Sequence, residues 1–204
     1  MSLSSDSETP STTPPGNLDN TMCLRDHFLI SMPHMHDGNF AQSLTYICDH
    51  NEEGAMGIII NRPMDLSFQA LLSHLEIDAD HEATPQPVYA GGPVQTDKGF
   101  VLHLSTEQEW LSSYEVSDSV SITSSLDILE DLANSKQQIP SLVALGYAGW
   151  GAGQLEEEIR QNAWLSCPAN LDILFHIPAE QRLHAAAASL GVNLDLMTAQ
   201  SGHA

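Results

Sequence analysis

Between Phe28 and Pro63 the chain reads FLISMPHMHDGNFAQSLTYICDHNEEGAMGIIINRP, three apolar segments divided by two polar, turn-forming connections. This stretch predicts three neighbouring strands, and the rest of the chain has shorter segments that need such a sheet to pack on. The first strand is expected over Phe28 to Met32, closed by Pro33. The polar stretch that follows contains Asp37-Gly38, a favoured turn dipeptide. The second, Ser43 to Asp49, places Leu44, Tyr46 and Cys48 on one side and Ile47 on the other. After a turn at Asn51 to Gly54, Ala55 to Ile60 is almost wholly apolar, the pattern of a strand covered on both faces. Pro63 ends it and holds Arg62 extended.

Beyond Pro63 the period changes. Phe68, Leu71, Leu72 and Leu75 fall on one helical stripe, with Ser67 placed as an N-cap. Ile77 to Pro87 is acidic and reads as an exposed connection. Val88 to Ala90 and Lys98 to Leu104 read as strands, separated by Gly91-Gly92-Pro93 and a polar loop, Val94 to Asp97. Trp110 to Tyr114 is a short mixed segment, and Val116 to Ile122 alternates weakly. Ser124 to Asn134 predicts a second amphipathic helix, with Ser124 and Asp127 in capping-box positions. Leu142 to Tyr147 predicts a strand, and a helix is expected from about Gly153 with Glu156, Glu157 and Glu158 at its amino end. Trp164 to Cys167 and Ile173 to Phe175 are short apolar runs. A last helix, Ala179 to Leu190, should stop at Gly191. Helices and strands mix without a βαβ rhythm, which predicts a compact α+β fold rather than a doubly wound one.

With 204 residues, 42% of them hydrophobic, the chain can bury a sizeable core. Residues 1–21 are rich in Ser, Thr and Pro and are expected to be a disordered tail, leaving residues 22–204 as a single domain. No apolar run is long enough for a membrane span, and the three widely spaced cysteines suit reduced thiols in a cytoplasm. Lys and Arg number 6 against 27 Asp and Glu, a formal charge of -21. Duplex DNA binders draw most of their non-specific affinity from basic side chains that displace phosphate counterions, so direct DNA binding by this chain is not expected.

Three patterns invite a chemical reading. His34, His36 and Asp37, with His27 and His103 elsewhere, are the nearest approach to a metal cluster; no HExxH or paired CxxC accompanies them, and surface histidines explain the pattern as well. Cys48 followed by Asp49 and His50 could form a thiolate-imidazole pair if the strand continues regularly, but buried cysteine is common as core material. Gly91-Gly92-Pro93 and the glycines of GYAGWGAG could offer backbone amides to an anion. Neither matches a nucleotide fingerprint, and tight turns around a packed Trp150 account for them equally. No cofactor, metal or catalytic residue is assigned.

Taken together, HFLISMPHMHDGNFAQSLTYICDHNEEGAMGIIINRP, VYAGGPVQTDKGFVLH and ALGYAGWGAGQLEEEIRQNAWL resemble the AlgH/YqgE family of bacterial proteins, in the family's order and from about Leu24 onward. The resemblance implies an α+β fold with a mixed, bifurcated, partly barrel-like sheet surrounded by helices, in a cytosolic protein of unassigned biochemical activity. It also brings the label of putative transcriptional regulator, without a DNA-binding motif. Three functions stay open: a ligand- or protein-binding adaptor, a regulator acting through a protein partner, and an enzyme of unknown class. Asn61, Arg62, Pro63, Gly91, Gly92, Pro93, Gln95, Thr96 and Asp97 are expected to converge at one end of the sheet as a recognition surface. Arg62 there either pairs with Asp97 or offers its donors to an anionic ligand or partner. The partner, small molecule or protein, and the oligomeric state stay open.

Overall fold

The computed structural model describes residues 23–79, 86–134, 139–194 and 196–197; the expected tail, 1–21, lies outside the described residues. The strands are β1 (His27–Ser31), β2 (Leu44–Asn51), β3 (Gly54–Ile59), β4 (Pro63–Ser67), β5 (Pro87–Ala90), β6 (Val94–Leu104), β7 (Ser113–Glu115), β8 (Val120–Thr123), β9 (Ser141–Gly151) and β10 (Trp164–Pro168). The helices are α1 (Phe68–His74), α2 (Asp127–Asn134), α3 (Gln154–Arg160) and α4 (Ala179–Ser189), with one π-helical turn at Asp172–His176. All ten strands join one curled sheet, ordered β10-β1-β2-β3-β9-β6-β8-β7, with β5 also on β9 and β4 beyond it. Helices surround it, as the α+β expectation requires.

The trunk of the sheet is β9. Along one edge it pairs antiparallel with β6, from Ser141 to Tyr147. Its other edge is divided: Val143 to Leu145 pair parallel with β5, and Ala148 to Gly151 pair antiparallel with β3. Gly91 occupies the fork. Its carbonyl accepts from Ile59 N and its own N–H donates to the Leu145 carbonyl, both at 2.8 Å.

Three apolar clusters pack on the sheet. Phe28, Ile30, Tyr46, Ile58, Leu102 and Ala144 face α4 through Leu183, Ala186 and Ala187. Val101 and Val143 lie under α1 and α2 through Phe68, Leu72, Ile128 and Leu129. Leu29 and Ile47 join Leu155 of α3 with Trp150 and Trp164. Ile58, Ile59 and Ile60 are all buried, as expected of a strand covered on both faces.

Several local expectations need correction. Pro63 does not merely end the third strand; it opens β4, which pairs with β5, an edge position where the missing N–H is tolerated. Val94 to Asp97 is the start of β6 rather than a free loop: Val94 pairs with Tyr147 before a register break, and Gln95 turns through φ 46°. Gly146 to Gly151 continue β9, with Ala148 and Trp150 buried on one side. At α2 the expected Ser124–Asp127 capping box gives way to Asp127 itself, whose carboxylate accepts from Ile128 N, Leu111 N and the Ser125 hydroxyl. The Ser67 cap of α1 and the stop of α4 at Gly191, φ 71°, are as expected.

Candidate functional site

The backbones of the three predicted recognition segments meet at the fork. Ala90 N donates to the Arg62 carbonyl at 2.9 Å. A Cβ on Gly92 would stand 2.1 Å from the Tyr147 carbonyl carbon, and one on Gly146 would stand 2.5 Å from Gly92 O and 3.2 Å from Thr96 Cα. The glycines thus allow main chains to approach where a side chain would collide.

The side chains part company. Asn61 and Arg62 line a cleft beside α4, Gln95 lines a depression with Lys98 and Tyr147, and Asp97 lines a third between α1 and α2. Pro63, Pro93 and Thr96 are exposed or partly so. Nor do Arg62 and Asp97 form an ion pair: the guanidinium donates through Nη1 to the carbonyls of Gly38 (3.3 Å) and Asn39 (2.5 Å), and through Nη2 to Ala41 (2.6 Å). Arg62 therefore braces the β1–β2 loop. That loop needs bracing because Asp37 bends it, its carbonyl accepting from Phe40 N and Ala41 N. Burial presses the Arg62 pKa down and the nearby Asp37 carboxylate opposes the shift, so the charge is kept. Asn61 spends both ends of its amide on structure, accepting from Leu44 N and donating to Gln42 O.

The Asn61–Arg62 cleft encloses about 550 Å³ between the β1–β2 loop and α4, where Leu183 and Leu194 supply apolar surface and Glu180 and His184 stand at i and i+4. Arg182, on the inner side of α4, is 5% exposed and donates to the Ile60 and Ile177 carbonyls while lying over the Tyr89 ring. Burial lowers its pKa. Two guanidinium groups thus flank residues 60–62 with no carboxylate at ion-pair distance among the described residues.

Over residues 28–195 the chain matches the AlgH-like family profile. It is 57% identical over 179 residues to a UPF0301 protein of Thioalkalivibrio sulfidiphilus, covering 88% of this chain and 96% of that one. To the UPF0301 protein AlgH of Pseudomonas aeruginosa it is 54% identical over 183 residues, covering 89% and 96%. This chain belongs to the UPF0301/AlgH family. The solution structure of AlgH from Pseudomonas aeruginosa superposes with a TM-score of 0.73 at 50% identity, over 96% of this chain and all of that one. A Corynebacterium diphtheriae protein at 18% identity shares the fold, with a TM-score of 0.65 over 85% of this chain and 91% of that one.

Within this AlgH-family fold Cys48 and His50 do not pair. A bulge between Ile47 and Asp49 inserts one residue and reverses the side-chain alternation. Cys48 therefore sits in the core with Tyr46, its thiol pushed up by burial, while His50 turns to the opposite side. There His50 Nδ1 accepts from Leu24 N and Nε2 donates to Glu156, each at 2.9 Å. Among the described residues no group of three or more His, Cys, Asp or Glu side chains is placed to hold a metal. Among the described residues no helix is long and apolar enough to cross a membrane. Sequence reasoning missed Arg182 and Glu158. The first looks like any helical arginine, and the second stands in a run of three glutamates whose separate partners only the fold reveals.

Proposed function

We propose that this AlgH-family chain is a binding protein whose ligand enters the cleft between the β1–β2 loop and α4 and presents an anionic group to Arg62. One observation carries the reading. A guanidinium has five N–H donors, and the three hydrogen bonds from Arg62 to loop carbonyls leave the Nε–H and one Nη2–H without a hydrogen bond among the described residues. Nε and Nη2 are nitrogens through which arginine takes a carboxylate or phosphate, and Arg62 lines the cleft. The loop carbonyls pre-orient the group, so little side-chain entropy is lost when a ligand arrives. Leu183 and Leu194 offer the apolar body of such a ligand a surface, and Glu180 and His184 set the polarity of the mouth.

A ligand-observed NMR screen of small carboxylates, phosphates and neutral amides tests this with the native chain and Arg62→Lys. Anionic fragments should dominate the hits and be lost in the lysine variant, which keeps the charge but not the planar fork. Hits that ignore the substitution, or a preference for the neutral amides, would contradict the proposal.

A further inference from the structure

A second site, independent of the Arg62 cleft, lies on the opposite side of the sheet. α1 and α2 rest side by side on β6 and β9 without closing on each other, leaving an apolar cleft of about 100 Å³. Its walls are Leu71 of α1 with Leu75 just beyond its end, and Leu129 of α2 with Leu126 just before its start, and Asp97 is at the rim. The floor is opened by Gly99. This glycine sits in β6 paired with Leu145, and its φ is not in the left-handed region, so its backbone does not require glycine. A Cβ built there would meet nothing within 4 Å. Glycine weakens a strand interior and marks places where a ligand or another chain comes close. At Gly92 the missing side chain makes room for the protein's own backbone; at Gly99 it makes room for nothing in the described structure.

The rim is apolar and acidic together. Leu126 is 55% and Leu75 36% exposed, and Leu111, tied to α2 through Asp127, is 89% exposed. Asp97 stands at the edge of the cleft, the exposed Glu130 follows Leu126 by one helical turn, and the described residues of α1 and α2 contain no Lys or Arg. Lys98, next to Asp97, is turned to the other face, 5.3 Å over the Phe100 ring. A hollow of this size has room for a single compact side chain. Asp97 and Glu130, with no Lys or Arg on either helix to offset them, select a guest carried on a basic chain, because complementary charge sets partner choice and encounter rate.

We infer that the α1–α2 cleft is a docking site for a basic peptide segment of a partner protein, which inserts one aliphatic side chain over Gly99 and sets Lys or Arg against Asp97 and Glu130.

The probe is a fluorescein-labelled heptapeptide, Lys-Lys-Ala-Leu-Ala-Lys-Lys, compared with the same peptide carrying alanine for leucine and with a version carrying glutamate for lysine. Fluorescence anisotropy with the full chain should rank leucine above alanine by at least about fivefold at physiological salt, with no binding of the glutamate peptide. Gly99→Ala adds a Cβ that meets nothing within 4 Å, so it should keep or raise the melting temperature while reducing the advantage of leucine, and Gly99→Val, which fills more of the floor, should remove it. Asp97→Asn should weaken both basic peptides. Equal binding of the leucine and alanine peptides would reduce the effect to bulk charge and overturn the proposal, as would a leucine preference that survives Gly99→Val. Sedimentation of the native chain as a dimer that Gly99→Val dissociates would instead make a second copy the occupant, and would equally overturn it.

Discussion

Trp150 and Trp164 stand edge to face with ring centroids 5.9 Å apart, and their indole N–H groups donate to the same carboxylate oxygen, Glu158 Oε2, at 2.9 and 2.8 Å. One residue from the end of β9, one from the start of β10 and one from the intervening α3 are thereby locked into a single unit. Removing the carboxylate leaves two largely buried donors unpaired, at about 1–3 kcal/mol each. Glu158→Ala should therefore lower the unfolding free energy in urea by about 2–4 kcal/mol, and Glu158→Gln by less. Tryptophan emission should shift in the alanine variant before the main transition. An unchanged midpoint for Glu158→Ala would show that the indoles find other acceptors.

At the fork, Gly92→Ala should cost more than about 2 kcal/mol, because its Cβ would stand 2.1 Å from the Tyr147 carbonyl carbon, far inside van der Waals contact, and its φ of 155° strains an L side chain. Circular dichroism melts of this variant beside Gly99→Ala make the comparison internal. The first should melt well below the native chain and the second should not.

Arg62→Ala removes three hydrogen bonds that a charged group makes to the β1–β2 loop, and bonds of that kind contribute about 1.5–3 kcal/mol. The expected loss is about 2 kcal/mol overall, with faster amide exchange at Phe40 and Ala41. Arg62→Lys should recover part of the stability but not the exchange protection, since an ammonium cannot span the Gly38, Asn39 and Ala41 carbonyls as a planar fork does. Native-like exchange in Arg62→Ala would remove the bracing role.

His103 gives a pH dependence with a defined sign. It is 2% exposed, its Nδ1–H donates to the Leu104 carbonyl and its Nε2 accepts from the Thr123 hydroxyl. Burial holds its pKa below the ordinary 6.5, against a smaller opposing effect of the Leu104 carbonyl. The unfolded chain takes up this proton near pH 6.5 while the folded chain resists, so stability is full above that pH and declines as pH falls below it. Urea midpoints for the native chain and His103→Asn, taken from pH 8 to pH 5, should converge as the pH drops. Parallel curves would mean that His103 does not titrate differently on folding.

The sequence made the first three strands, the stripe of α1 and the stop of α4 legible because each has a strong local signature: runs of β-branched residues, helical spacing with a serine cap, and a glycine in the left-handed region. β4 and the first residues of β6 were hidden because they are exposed and polar, and only their pairing with β5 and β9 makes them strands. The glycines of β9 looked like a loop. In fact they alternate with Ala148 and Trp150, a small-and-large pattern that reads as a strand once Gly91 and Gly92 need room beside it. Arg62 stood out as a scarce cation at a strand end, and of the two roles expected for it the ion pair with Asp97 does not form. Its real acceptors are main-chain carbonyls of a loop about twenty residues upstream, and carbonyls leave no mark in a sequence.

The Arg62 cleft is tested most directly by ¹H–¹⁵N spectra of the native chain titrated with benzoate and, separately, with benzamide, two ligands of nearly the same shape that differ in charge. Benzoate should produce saturable shifts concentrated at Asn61, Arg62, Leu183 and His184 and spreading into the β1–β2 loop, while benzamide at the same concentrations produces smaller shifts or none. Benzoate shifts that avoid these amides, or identical responses to the two ligands, would contradict the assignment of the cleft as an anion-directed binding site.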